Sequence, residues 1–309
     1  MATLLMVFRC LRLKLRGERF DLVFVPSSEQ LPALIAGFAA AKFFGAPLVA
    51  CNMNIEWFPR PLRRWAARAH NLADLLITLS KDLRSKLLFY GVKKPVVVNG
   101  VGLDLTLIEE MSKEQEQKCY DAIFVGRHDP EKGVYDLVEI WAEVSARRPE
   151  ALLVTVGSCN PVNLRRLRAK IGELGLERNI RMLGVVEERE KFRLMRKSRI
   201  CLFPSVVEGW GIVPQEGLAC GLPVVLYDLP VYGETVRECD AVFLEPVRDK
   251  RAVAERVLWL LSCGRHLRFS ESGPKFVRRF NWEDVARTEF EILESLASGF
   301  AKARTQSVR

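Results

Sequence analysis

The stretch VVEGWGIVPQEGLACGLPVV at residues 206–225 decides how this chain folds. It follows an apolar run at 199–204 and ends in a second apolar run, and it carries four glycines and two glutamates. Pro214 suits the start of a helix and Gly221 its end. The pattern therefore predicts a strand, a tight turn, a short helix near 214–220 and a second strand.

Short apolar runs alternate with helical patterns along the rest of the chain. In the first part, strands are expected near 21–26, 47–52, 74–79 and 95–98. A polar interval at 101–118 precedes a second alternation, which opens with an apolar run at 120–126. Alternation of this kind indicates βα units and parallel strands. The sequence thus predicts an α/β protein with two doubly wound, Rossmann-like domains, whose ligands bind beyond the carboxyl ends of the strands.

The length of 309 residues also favours two domains, because a single core rarely grows this large. We expect a first domain at 1–110 and a second at 119–282. The amphipathic segment 283–298 follows a suitable helix N-cap at Asn281. We expect it to form a helix that packs back on the first domain.

The positive charge of the chain is concentrated in its first third. The formal net charge is +9, and residues 1–94 hold 15 basic and 6 acidic side chains, whereas the remainder holds 32 of each. This excess points to an acidic partner, which is an anionic lipid surface, a nucleic acid or a phosphorylated substrate; a solvated basic face is the alternative. Aromatic residues are sparse among the basic ones, so no nucleic acid partner is expected.

The cysteines and the first residues bear on the compartment. The eight cysteines include no Cys-x-x-Cys pair, so neither a zinc site nor a disulfide framework is supported, and a reducing cytoplasmic compartment is expected. In residues 1–20 the apolar run precedes the basic residues, the reverse of an export signal. The uncharged run at 31–41 is shorter than the roughly 20 residues that span a bilayer, so no transmembrane helix is expected.

A candidate phosphate site lies in FVGRHDPEKG at 124–133, where Gly126, Arg127 and Lys132 follow a strand and open a helix. Amide hydrogens at a helix start, an arginine fork and a lysine charge suit a diphosphate. A turn with solvated Arg and Lys is the alternative. The chain contains no Asp-x-Asp motif.

The two glutamates of the opening stretch suit hydroxyl groups. Gly209 and Gly211 allow close backbone approach to a ligand, and acids beside an anion site would be unfavourable unless they bind hydroxyls. A nucleotide sugar offers both a diphosphate and hydroxyls. Two simpler explanations stay open, because Glu216 in a first helical turn favours the helix dipole and Glu208 suits a surface loop.

The run GRHDPEKG and the run at 182–225 closely resemble the donor-binding half of retaining family 4 glycosyltransferases, which have the GT-B fold. Weaker similarity covers roughly residues 20–298. The resemblance implies a metal-independent hexosyltransferase without a cofactor, which uses a nucleoside diphosphate sugar and a saccharide or lipid-linked acceptor. The implied donor-binding residues are Gly126, Arg127, Lys132, Gly209, Gly211 and Glu216, and the implied catalytic residue, near the transferred sugar, is Glu208.

Two features depart from that family. The first part of the N-terminal domain is expected to be missing: either the acceptor half is incomplete, or the reading frame starts late, or a partner chain completes the domain. The family also commonly places a histidine in the loop that corresponds to 52–58, and here Asn52 or Asn54 would either bind the sugar or only shape a turn. The alternative function is therefore a donor-binding regulatory or inactive subunit that has lost acceptor chemistry.

The resemblance also implies that the loop at 184–186 would lie against the nucleotide base.

The basic segment LLMVFRCLRLKLR at 4–16 has two interpretations. It either lies in an anionic membrane interface, where a lipid-linked acceptor would be met, or forms a scaffold helix that covers the sheet. On the first interpretation the protein is peripheral at the inner face of the membrane.

Overall fold

Parallel strands alternate with helices throughout the computed structural model, which describes residues 9–10, 12–112 and 116–307. The strands are β1 Val23–Val25, β2 Leu48–Asn52, β3 Leu75–Thr78, β4 Val96–Val98, β5 Tyr120–Val125, β6 Leu153–Val156, β7 Ile180–Gly184, β8 Ser198–Phe203, β9 Val224–Tyr227 and β10 Val242–Glu245. The helices are α1 Leu31–Phe44, α2 Arg60–Ala69, α3 Lys81–Tyr90, α4 Leu105–Ser112, α5 Val134–Arg147, α6 Pro161–Glu173, α7 Glu188–Arg196, α8 Ile212–Ala219, α9 Tyr232–Thr235, α10 Lys250–Leu261, α11 Ser272–Val277 and α12 Trp282–Ser307. The predicted α/β fold with two parallel sheets is confirmed.

The described residues divide into two units. The first contains those up to Gly102 and those from Glu283 onward, and the second runs from Leu103 to Trp282. The predicted first domain extended to residue 110, but Leu103 and Ile108 are buried in the core of the second unit. Of the segment proposed for a membrane interface, residues 4–8 and 11 lie outside the described residues.

The first unit contains a parallel sheet in the order β1-β2-β3-β4. Successive strand residues enter opposite faces, as the period of two requires. On one face Leu76 packs with Leu34 of α1 and Leu83 of α3. On the other face Ile77 packs with Ile292 of α12. Both faces are therefore covered, which leaves the strand ends available for a site.

The second unit contains a parallel sheet in the order β10-β9-β8-β5-β6-β7. Its core includes the fully buried side chains of Phe124, Trp141 and Tyr227. The first strand of this unit, β5, lies between β6 and β8, so the direction of winding reverses between β5 and β8. Open α/β sheets bind their ligands at such a reversal, outside the carboxyl ends of the strands.

The helix of the opening stretch begins earlier than predicted. It starts at Ile212, because Gly211 adopts a left-handed conformation (φ 98°) at its N-cap, and Gly221 (φ 72°) follows its end. Glu216 therefore lies in the second turn, so a stabilising position in the first turn does not account for it. Similarly, Lys132 closes a 3₁₀ turn before α5 begins at Val134.

Among the described residues, no helix combines the length and apolar character that a membrane crossing requires.

Candidate functional site

The two motifs singled out from the sequence meet where the winding of the second sheet reverses. Gly126 and Arg127 follow β5, and the loop that starts at Pro204 follows the neighbouring strand β8. Both loops leave the carboxyl ends of their strands. This is the edge at which ligands of doubly wound sheets bind.

Gly133 holds these two loops together. It has a left-handed φ of 70°, and a Cβ at this position would lie 1.8 Å from the carbonyl oxygen of Pro204. The Val206 amide donates to the Glu131 carbonyl oxygen at 2.9 Å, and the Ser205 hydroxyl donates to the same oxygen at 3.2 Å. Only glycine permits this close approach, which places Lys132 beside the glutamate of the other loop.

Lys132 and Glu208 form an ion pair. Lys132 Nζ lies 2.5 Å from Glu208 Oε1, and the side chains are 20% and 9% exposed. Lys132 Nζ also lies 5.5 Å from the centre of the Phe203 ring, which closes one side of the pair. The residue predicted to bind diphosphate and the residue predicted to touch the sugar therefore contact each other directly.

Arg127 lies at the same strand end but is more exposed. Its side chain is 53% accessible, and Nη1 lies 3.3 Å from Asp129 Oδ2. Asn163, near the start of α6, donates to Asp129 Oδ1 at 3.3 Å. Asp129 is thereby held in place, and about half of the Arg127 side chain is exposed at this strand end.

Glu216 is a buried carboxylate with a cationic partner that the sequence interpretation missed. Lys191 of α7 lies 2.7 Å from Glu216 Oε1, and the two side chains are 17% and 10% exposed. Burial raises the pKa of Glu216, and Lys191 opposes the effect. Lys191 stands in a run of alternating charges, so nothing in the sequence distinguishes it from a surface lysine.

Buried polar atoms flank the turn at Gly211. A Cβ at Gly211 would lie 2.9 Å from Tyr232 Cε1, so this ring packs directly on the turn. Tyr232 Oη and Gln215 Nε2 are buried, and neither finds a hydrogen-bond partner in the described part of the chain. Burial, and then the charge of Glu208, raise the pKa of Tyr232 well above its ordinary value. A buried polar atom without a partner calls for an explanation, and a ligand hydroxyl would provide one.

Three successive strand ends come close together beside this turn. The Gly126 amide donates to Val156 O at 2.9 Å, and the Gly157 amide donates to Gly184 O at 2.8 Å. A Cβ at Gly157 would lie 2.0 Å from Gly126 O. After Gly184 the chain presents Val185, which is 75% exposed and belongs to the loop predicted to contact the base.

The strand ends of the first unit carry a separate polar cluster. His70 Nε2 lies 3.1 Å from Asn52 Nδ2 and 3.0 Å from Ser28 Oγ. Burial lowers the pKa of His70. Glu29 Oε1 accepts from the Met53 amide at 2.7 Å. The sequence interpretation named only Asn52 from this cluster.

Asn54, the other residue considered for sugar binding, has a local role. Its Oδ1 accepts from the Glu56 amide at 2.8 Å and caps the 3₁₀ turn Ile55–Trp57. This is the turn-shaping role that the sequence left open for it.

In chemical terms, the site of the second unit combines fixed cations with two carboxylates that are at most 10% exposed. Lys132 and Arg127 suit phosphate oxygens, and Glu208 and Glu216 accept hydrogen bonds from hydroxyls. Each carboxylate is held by a lysine, so its orientation is defined before a ligand binds.

Comparisons with known proteins identify the family of the chain. The family model described as Glycosyl transferases group 1 matches residues 108–276, and the model described as Glycosyltransferase Family 4 matches residues 3–107. The phosphatidyl-myo-inositol mannosyltransferase of Mycobacterium leprae is 29% identical over 214 residues, which are 68% of this chain and 56% of that protein. The D-inositol 3-phosphate glycosyltransferase of Segniliparus rotundus is 29% identical over 270 residues, 81% of this chain and 59% of that protein. The chain thus spans somewhat more than half the length of these relatives.

Solved structures resemble the chain in fold. The structure of Anabaena HepE in complex with UDP and glucose has a TM-score of 0.78 and 22% identity, and the match covers 89% of this chain and 78% of that one. Sucrose-phosphate synthase from Thermosynechococcus elongatus has a TM-score of 0.78 and 20% identity, over 91% of this chain and 74% of that one.

Proposed function

We propose that this chain, which belongs to the Glycosyl transferases group 1 family and has the GT-B fold, moves a hexose from a nucleoside diphosphate sugar to a saccharide or lipid-linked acceptor with retention of configuration. The observation that carries the proposal is the pairing of Lys132 with Glu208 at the reversal point of the second sheet. That pair brings a phosphate-binding charge and a hydroxyl-binding group within one hydrogen bond of each other.

The donor would bind along the carboxyl edge of this sheet. Arg127 and Lys132 would hold the diphosphate, with Gly126, Gly209 and Gly211 allowing the ligand to approach the backbone. Glu216 would accept hydrogen bonds from the ribose hydroxyls, and Glu208 would contact the transferred sugar. The loop at 184–186 would lie against the base, where the exposed Val185 offers an apolar surface.

The proposed chemistry needs no protein base and no metal. The acceptor oxygen forms its bond to the sugar on the face from which the diphosphate leaves, and the acceptor proton passes to an oxygen of the departing phosphate. Negative charge grows on the diphosphate as its bond to the sugar breaks. Fixed cations at Lys132 and Arg127 would stabilise that charge and lower the barrier.

The named relatives support the class of donor and acceptor. One is a mannosyltransferase that acts on a phosphatidylinositol by its name, and HepE has been solved with UDP-glucose. We therefore propose a hexose donor and a saccharide or lipid-linked acceptor. A cytoplasmic location at the inner face of the membrane would bring the basic first third of the chain to such an acceptor.

The test is a thermal-shift panel of nucleoside diphosphate hexoses, followed by transfer and hydrolysis assays with each donor that stabilises the chain. We expect one donor class to raise the melting temperature and to be turned over. Arg127→Ala should lower the transfer rate by about 10- to 100-fold, the value of a charge-assisted hydrogen bond, while the melting temperature stays unchanged. Donor binding without turnover would favour the regulatory subunit, and no stabilisation by any donor would contradict both functions.

A further inference from the structure

Helices α2 and α3 of the first unit, with the turn before α2, expose an unusual set of large apolar side chains. Their exposed fractions are 48% for Trp57, 50% for Leu62, 65% for Trp65, 46% for Leu88 and 71% for Phe89. The exposed basic residues of the same helices are Arg60, Arg64, Arg68, Lys81 and Arg84. We call these ten residues the basic aromatic surface. Contiguous apolar groups left open to water commonly mark an interaction site.

The spacing on α2 separates the two kinds of side chain. Arg60, Arg64 and Arg68 recur every four residues and form one row along the helix. Leu62 and Trp65, three residues apart, lie beside that row, while Ala66 and Ala67 face the core. The helix contains no acidic residue. A helix with an arginine row beside an exposed tryptophan and leucine is typical of segments that lie in a membrane interface.

Helix α3 lies next to α2 and extends the surface. Arg63 Nη1 lies 3.5 Å from Tyr90 Oη, and a Cβ at Gly91 would lie 3.4 Å from Arg68 Cγ. The C-terminal end of α3 therefore meets α2. Leu88 and Phe89 are exposed at this end, and Gly91, which follows them, lies beside Arg68 of the arginine row.

The acids of these elements do not cancel the positive charge of the surface. Lys86 Nζ lies 2.6 Å from Glu56 Oε2 and 2.8 Å from Asp82 Oδ2, and Arg63 also reaches Glu56. These four side chains are only partly exposed and neutralise one another. The basic aromatic surface itself contains five exposed basic residues and no acidic residue.

We infer that the basic aromatic surface binds the headgroup region of a bilayer that contains anionic lipids. The charge is complementary to such a membrane, and tryptophan, phenylalanine and leucine gain free energy on entering the boundary between headgroups and acyl chains. Long arginine stems cover apolar surface while their heads meet phosphates. Each arginine or lysine near an anionic membrane strengthens binding by roughly fivefold.

The test is flotation of the whole chain with vesicles of phosphatidylcholine, with and without phosphatidylglycerol, at low and high salt. We expect binding to the anionic vesicles, weakened by salt, and little binding to phosphatidylcholine alone. Arg60→Gln/Arg64→Gln should weaken it by about 30-fold and Trp65→Ser/Phe89→Ser by about tenfold or more. The matched control is Arg165→Gln/Arg168→Gln, which removes the same charge from exposed positions on α6 of the second unit and should change binding by less than about twofold.

A second measurement covers the case in which a variant folds poorly. Trp57→Phe/Trp65→Phe keeps the surface apolar and should abolish most of the tryptophan quenching that brominated lipids cause in the parent chain. Unchanged quenching in this variant would overturn the inference. Salt-insensitive flotation, equal loss of binding in the α6 control, or binding of single-stranded RNA in preference to vesicles would also overturn it. The assay contains no sugar donor, so its failure would leave the proposed transfer activity untouched.

Discussion

Glu216, which is proposed to bind the donor, is held in the fold at a cost to stability. It lies in the second turn of α8, buried, with Lys191 as its cationic partner. Burial is the larger effect on its pKa and raises it. The fold itself favours the neutral form of this carboxyl group, and the proposed binding of a ligand would account for its presence there.

Glu216→Gln should therefore make the free protein more stable at neutral and alkaline pH. A carboxyl group whose pKa is higher in the folded state contributes stability below its unfolded pKa, and that contribution is lost as the pH rises through the folded value. The parent chain loses this contribution at higher pH, whereas the variant does not, because glutamine does not titrate. The gain in denaturation midpoint should be clear at pH 8 and vanish near pH 4, where the parent residue is protonated.

The control for this prediction is Glu190→Gln, which removes a partly exposed carboxylate that pairs with Arg193 on α7. It should leave the stability within about 0.5 kcal/mol of the parent. A glutamine variant at 216 that is less stable than the parent at pH 8 would show that the pair with Lys191 outweighs the burial of the charge.

Because Lys132 and Glu208 form a pair, substitutions of the two residues should have opposite effects on the binding of a nucleoside diphosphate. On the proposed function, a diphosphate must take over Lys132 from Glu208. Glu208→Gln should tighten the binding of a nucleoside diphosphate about 3- to 10-fold, because the lysine is released and a negative charge is removed. Lys132→Ala should weaken it about 10- to 100-fold.

Calorimetric titration of the two variants and the double variant measures the coupling between these residues. The exposed Lys275→Ala is the matched control for loss of a lysine in the same unit. If Glu208→Gln also weakens diphosphate binding, the two side chains act together on the phosphate, and the assignment of Glu208 to the sugar is wrong.

At the scale of elements, close approach of two strand-end loops is what assembles the site. Gly133 carries this approach, because both its positive φ and its distance from Pro204 O exclude a side chain. Gly133→Ala should destabilise the chain by about 2 kcal/mol or more, from left-handed strain and displacement of the loop after β8. Donor binding should fall along with the stability.

Gly172→Ala is the matched control for this substitution. Gly172 lies in α6, and its added Cβ would meet only Glu177 Oε1, at an ordinary distance of 3.5 Å. Alanine should stabilise a helical position of this kind by roughly 0.5–1 kcal/mol. Chemical denaturation of both variants decides, and equal stability of the two would contradict the role given to Gly133.

The elements themselves were predictable from sequence, while the contacts between them were not. Apolar runs marked β5 and β8 because buried parallel strands are apolar throughout. The start of α8 was misplaced, since Pro214 gave a stronger local signal than Gly211. The partners Lys132 and Glu208 are 76 residues apart, and Lys191 and Glu216 are 25 apart. Such pairs depend on how loops return to a sheet edge, which local patterns do not specify.

For the whole molecule, the three histidines predict weakening in mild acid. Burial lowers the pKa of His70, His128 and His266. A histidine whose pKa is lower in the folded state contributes stability above its unfolded pKa, about 6.5, and that stability is lost as the pH falls through this value. The denaturation midpoint should therefore decrease as the pH is lowered from 7.5 to 5.5, and protons should be taken up on unfolding.

This measurement is best made with the Glu216→Gln variant, because Glu216 itself acts in the opposite sense as the pH falls. His70→Gln should reduce the pH dependence by about one proton. A midpoint that does not change with pH in this range would show that the buried histidines are not held in their neutral form.

The basic excess of the chain could be predicted from its sequence, but the position of the surface that suits a membrane could not. The basic excess in residues 1–94 indicated an acidic partner. The sequence interpretation centred on the segment at 4–16, whereas the exposed aromatic side chains that suit a membrane lie on α2 and α3. Only folding shows which apolar residues remain outside the core.

We propose that the second unit holds a nucleoside diphosphate hexose at the Lys132–Glu208 pair. The most direct test of this proposal is calorimetric titration of a panel of such donors into the parent chain, Lys132→Ala and Lys275→Ala. We expect at least one donor to bind the parent and the Lys275 variant equally, and to bind the Lys132 variant about 10- to 100-fold more weakly. Donor binding that is unaffected by Lys132→Ala, or no binding of any donor, would contradict it.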